Sequence, residues 1–272
     1  MSGHEHLAQA LAACGRDGFT GELRITGTPG GTFHFADGRV VAVESPGAPG
    51  PEALLLRSGR VSGEQWAELV RESGGSRWPA TALIAHGYAG AAQLRVVCAL
   101  ALHDAAFALA AGRVEECERR ASAEPFAQVP LGEPPLRLLQ EALRRLTALA
   151  SLPHPVHPDR ERPVRAGTDS GSGTLRHELL THADGRRTAR DLAFRVGRGV
   201  YSVSVEVARM LDEGLLVCAG PPAPVAVRPL PDGDGLRPRR PPAVEPSPSP
   251  ARTDLPRRKP GNFFRLRNGT PR

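Results

Sequence analysis

The sequence predicts an α+β protein: a small amino-terminal module of strands and helices around a β-hairpin, a second group of three short helices, and a disordered tail. Three observations carry this prediction. Residues 21–44 alternate apolar and polar side chains and turn at Asp37-Gly38. Residues 174–213 repeat apolar side chains at helical spacing, and beyond residue 228 proline and arginine replace any apolar period. A chain of 272 residues accommodates two modest domains. The expected division is 1–150 for the α+β module with a helical extension, 151–171 for a linker, 172–228 for the second domain and 229–272 for the tail. Only 4% of residues are aromatic, so the core must be built from Leu, Val and Ala.

Residues 7–13 form a short apolar helical piece, followed by "FTGELRITG" and "GTFHFADGRVVAVE", which read as strands. Asp37-Gly38 tolerates the positive φ of a tight hairpin turn. Phe33 and Phe35 share one face before it, as Val41 and Val43 do after it. "PEALLLRSG" is a turn or two of helix ending at Gly59. In "VSGEQWAELVRES", Ser62 and Gln65 make a capping box, and Trp66, Leu69 and Val70 follow at helical spacing. From Ala91 to about Arg120 the pattern Leu94, Val97, Cys98, Ala101, Ala105, Ala108, Leu109 predicts a helix buried on one side. Another helix starts after Pro134-Pro135; its Leu136, Leu139, Leu143 and Leu146 form a stripe that reads either as core or as the seam of a homodimer, with Glu141 and Arg145 paired at i, i+4.

The segment "GELRI…GGTFHFADGRVVAVESPG…EALLLRSGRVSGEQ", residues 21–65, resembles the PatA-like amino-terminal domain (PATAN, or DUF4388) of bacterial regulatory proteins, which pairs a G-x-L-x-I strand with a hairpin at Asp-Gly and a following helix. The resemblance implies a noncatalytic signalling module that contacts a protein partner, and it brings no active-site residue.

"SLPHPVHPDRERPVRAGTDSGSG" is rich in Pro, Ser and Gly and reads as an interdomain linker. His154 and His157 in it, and His4 and His6 near the start, lack the companion carboxylates or thiols of a metal site. "HELLTH" fails as a zinc-protease motif, because His177 and His182 are five apart and point away from one another on a helix. No metal and no cofactor is expected.

In the second domain Leu175, Leu179, Leu180 and Ala183 lie on a first helix. Thr188 and Asp191 cap a second one that stops at Gly197. "VYSVSVEVARMLDEG" alternates like a strand over its first residues. Its Val203, Val207, Met210 and Leu211 nevertheless keep a helical stripe, and the strand pattern fails at Ala208–Leu211. A helix is therefore expected, with its serines outward. Three short helices, a Gly-containing link and an exit into a strand outline a winged helix. "LAFRVGRGVYSVSVEVARMLDEGLLV" resembles the helix-turn-helix of bacterial winged-helix transcription regulators, including the MarR-like group. By that resemblance Arg198, Tyr201, Ser202 and Ser204 would face the major groove, Arg195 and Arg209 would lie near phosphates, and Arg186, Arg187 and Arg190 would extend the basic face.

Charge weighs on that function. The net charge is +6, yet from Arg228 onward eleven basic residues face four acidic ones, so the rest of the chain is slightly acidic. DNA affinity scales with the number of phosphates neutralised. Residues 172–220 hold seven arginines and six acids, and "CAGPPAPVAV" is a poor wing without a basic residue. Two functions therefore stand: a DNA-binding transcriptional regulator, with the tail adding attraction to phosphates, and a signalling adaptor that does not bind DNA and contacts proteins. No nucleophile with a base, phosphate loop or ligand cluster suggests an enzyme. The tail cannot bury enough apolar surface to order itself and reads first as a solubilising segment; Phe263 and Phe264 among basic residues would otherwise make a short docking motif or a nonspecific contact to phosphates. Cys14, Cys98, Cys117 and Cys218 show no paired spacing. With no leader, and with the apolar run Val96–Ala111 broken by His103 and Asp104, a soluble cytoplasmic protein with no membrane contact is expected.

Overall fold

The computed structural model describes residues 3–121, 127–167 and 173–218, all within one compact unit, Met1–Ala223. The expected tail 229–272, with Phe263 and Phe264, lies outside the described residues, as do linker residues 168–171. Among the described residues the fold is mixed: nine helices, a four-stranded antiparallel sheet and a two-stranded pair.

Helix α1 (Gly3–Arg16) buries Leu7, Leu11 and Cys14, an i, i+4, i+7 stripe. Strands β1 (Gly21–Thr28), β2 (Gly31–Ala36) and β3 (Arg39–Glu44) follow, and with β4 (Arg113–Arg120) they stand in the order β3-β2-β1-β4. The hairpin turns where expected: Asp37 and Gly38 take φ of 48° and 73°, the left-handed pair that matches the twist of flanking strands. Phe33 lies opposite both Leu23 and Val43, so one face of the sheet presents a continuous apolar layer to the core.

Helices α2 (Pro51–Arg57), α3 (Gly63–Glu72) and α4 (Ala80–Ala85) close a satellite cluster around Leu55, Trp66, Leu69 and Leu83. The expected capping box opens α3: Ser62 Oγ accepts the Gln65 amide at 3.2 Å, and Gln65 Oε1 accepts the Ser62 amide at 2.8 Å.

Helix α5 (Ala91–Ala111) runs through the centre. Between Ala101 and Ala110 every residue but His103 is buried, because the sheet, the following helix and the carboxy-terminal helices cover it on different sides. Its length and mean hydropathy of 1.7 would suit a membrane span, but 61% of that window is buried inside the protein. The helix does not continue to Arg120 as expected. It stops at Gly112, and Arg113–Arg120 is β4, paired along β1. The cause is close packing: a Cβ on Gly112 would overlap the Thr28 carbonyl, so the chain turns at the one residue able to pass there.

Helix α6 (Pro135–Ala150) buries Pro135, Leu138, Leu139, Ala142 and Leu149. The expected leucine stripe is therefore split. Leu139 is in the core and Leu146 packs against it, while Leu136 and Leu143 are 44% and 37% exposed.

Strand β5 (Pro163–Arg165) pairs with β6 (Leu216–Cys218), and a bridge from Val164 to Asp184 adds a third segment. Between them lie α7 (Thr174–His182), α8 (Ala189–Val196) and α9 (Val200–Asp212), so the valine-rich stretch is a helix. Its buried face, Val200, Val203, Val207 and Met210, joins the same core as Leu7, Phe33, Phe107 and Leu138. Val156, within the expected linker, belongs to it too and is 3% exposed.

Candidate interaction surface at α8 and α9

Three backbone devices place α9. Thr188 Oγ1 accepts the Asp191 amide at 3.2 Å and Asp191 Oδ2 accepts the Thr188 amide at 2.9 Å, the expected box that starts α8. Gly197 ends α8 in the left-handed region at φ 65°, against the backbone and Cβ of Arg57, where any side chain would collide. Gly199 then precedes α9 with no capping side chain of its own.

The cap comes from elsewhere. The carboxylate of Asp104, on α5, accepts the amide of Val200 at 2.7 Å and that of Tyr201 at 3.1 Å. A helix start leaves amide donors without intrahelical partners and carries partial positive charge, so a buried carboxylate there satisfies both needs. Burial nonetheless pushes the Asp104 carboxyl above its ordinary pKa, against the opposing pull of the two amides and the charges of Arg145 and Arg190. Gly199 lets the carboxylate come close, since a Cβ there would lie 3.1 Å from Oδ1. Asp104 was not among the expected site residues, although the sequence held a signal: an acid in the chain's most apolar run must find partners.

The first turn of α9 is held on its side as well. The Tyr201 ring meets Phe107 edge-on at 5.4 Å between centroids, and the Arg145 guanidinium lies 5.3 Å from its centroid. On the outer face, Arg176 of α7 binds Glu206 through Nε at 2.6 Å and Glu213 through both terminal nitrogens at 2.7 and 2.8 Å.

The nine residues expected to meet DNA are thus distributed unevenly. Arg195, Arg198 and Ser202 are exposed, and neither arginine has an ion pair among the described residues. Arg186, ahead of α8, is exposed too, its amide bound to Asp184 Oδ1 at 2.9 Å. Arg187 is bound to Asp184 at 2.7 Å, Arg190 to Asp159 at 2.6 and 2.7 Å, and Arg209 stands 3.8 Å from Glu206. Tyr201 is half-buried. Ser204, expected outward, is 0% exposed and its hydroxyl has no hydrogen-bond partner among the described residues. It lies one residue after Val203 on the helix and is drawn under by the same packing.

Among the described residues no group of three His, Cys, Asp or Glu is placed to hold a metal. Of the histidines considered in sequence, His4 Nε2 lies 2.7 Å from the Ala110 carbonyl and His154 lies 3.3 Å from Asp212. Comparison with protein-family models, with curated proteins and with solved structures returns no match for this chain.

Proposed function

We propose that the chain is a non-catalytic signalling adaptor that works through protein contacts. The observation that carries this reading is the capping of α9 by Asp104: the helix start that a DNA-reading helix would insert into the groove is occupied by an internal carboxylate and covered by α5. The paired states of Arg187, Arg190 and Arg209 and the burial of Ser204 support it further, because they leave few of the cations and donors that phosphate and base contacts require. The likeness of residues 21–65 to a regulatory module points the same way.

DNA binding by a winged helix is the second reading. It is favoured by the exposed Arg195 and Arg198 at the three-residue link between α8 and α9, and by the exposed Arg186 ahead of α8. The two readings separate in one titration of the full chain against random duplex DNA across a salt series. For the adaptor, Arg195→Ala with Arg198→Ala leaves affinity and salt slope unchanged, any residual binding coming from the basic tail. A weaker affinity with a shallower slope in that variant overturns the adaptor reading.

A further inference from the structure

A cleft of about 500 Å³, open to solvent, lies between α5 and α6, lined by His103, Glu133, Arg137, Glu141, Arg144 and Arg145. On α6, Arg137, Glu141 and Arg144 fall at i, i+4 and i+7, so they share one stripe, and Arg145 flanks it. At 1.5 Å per residue, Arg137 and Arg145 are separated by about 12 Å along the helix axis.

The cations outnumber their internal partners. Glu141 serves two arginines: its oxygens accept from Arg144 at 2.7 and 2.8 Å and from Arg145 at 2.9 Å. Arg137 has no ion pair among the described residues. His103 also lines the cleft, and its buried Nδ1 has no hydrogen-bond partner among the described residues. Burial, with the Arg145 charge, pushes its pKa down against the pull of Glu133 and Glu141.

We propose that this cleft binds a small organic diphosphate, with Arg137 at one end, Arg145 at the other, and Arg144 released to it from Glu141. Guanidinium forks match phosphate oxygens in pairs, and a diphosphate carries enough acceptors to engage several forks at once, which a single carboxylate does not. Exchanging Glu141 for the ligand keeps Arg144 and Arg145 bonded throughout. Arg145 also stacks on Tyr201 in the first turn of α9, so an occupied cleft would touch the helix directly. The inference does not rest on the adaptor reading.

The test is calorimetric titration of the full chain with pyrophosphate and, separately, with citrate, at fixed ionic strength. Arg137→Ala is expected to weaken pyrophosphate binding by about tenfold or more. Glu141→Gln should tighten it several-fold, and Arg95→Ala, which removes an equal charge from an exposed site on α5, should leave it unchanged. Circular dichroism establishes that each variant is folded. Absence of pyrophosphate binding overturns the proposal. So does an equal loss in Arg95→Ala and Arg137→Ala, which would mark general attraction to a basic chain, and so does citrate binding as tight and as sensitive to Arg137→Ala, which would assign the cleft to polycarboxylates.

Discussion

Asp104 and Val200 are 96 residues apart in the chain and 2.7 Å apart in the fold, carboxylate oxygen to backbone amide. Removing the carboxylate leaves the buried amide of Val200 and the part-buried amide of Tyr201, at the start of α9, without partners. Asp104→Ala should therefore lower stability by about 2–4 kcal/mol, the cost of a lost cap together with orphaned donors. Denaturant unfolding measures the loss, and amide exchange should locate it at Val200 and Tyr201. A change below half a kcal/mol would mean that water replaces the carboxylate.

Ser204 makes the opposite case. Its hydroxyl is buried without a partner among the described residues, so Ser204→Ala removes an unsatisfied group and gains helix propensity, and stability should rise by up to about 1 kcal/mol. If Ser204 read DNA, the same substitution would instead weaken binding.

Leu139 and its neighbours on α6 test which leucines hold the fold. Leu139→Ala opens a space in the core and should cost about 2–5 kcal/mol. Leu136→Ala and Leu143→Ala remove half-exposed side chains and should each cost about 1 kcal/mol or less. A homodimer along this helix would reverse the order for association: sedimentation of Leu136→Asp with Leu143→Asp would then show a lighter species than the wild type.

Glu141 sets a pH dependence. The hydrogen bonds from Arg144, and after them those from Arg145, hold its carboxyl down to about 2, from an ordinary 4.5. A carboxylate depressed in the folded state stabilises it above the unfolded value, and that contribution disappears as pH falls through the folded one. The unfolding midpoint of the wild type should therefore drop between pH 4.5 and 2 more steeply than that of Glu141→Gln. Parallel curves would show that the pairs do not persist in solution.

Local chemistry was legible in the sequence. The Asp37-Gly38 hairpin, the boxes at Ser62 and Thr188, the stop at Gly197 and the helical course of Val200–Asp212 each follow from a few neighbouring residues. What escaped depends on distant partners. Strand β4 reads "RVEECERR", charged enough to pass for the end of a helix, and only its pairing with β1 some 90 residues away makes it a strand. The leucine stripe of α6 follows the right period, but the core lies to one side of it, an angle fixed by α1 and α5 rather than by α6. At the candidate surface, the helix was legible and its occupied start was not, because Asp104 is a helix interior residue until α9 arrives against it.

Helix α5 leaves no seam along which the described part of the chain can come apart by halves. Detaching α9 would bare Phe107 and strand a carboxylate, and melting the sheet would strip the other flank of the same rod. Heating should accordingly give a single calorimetric peak whose van't Hoff and measured enthalpies agree, and a fragment ending near residue 150 would carry an unshielded greasy strip and clump.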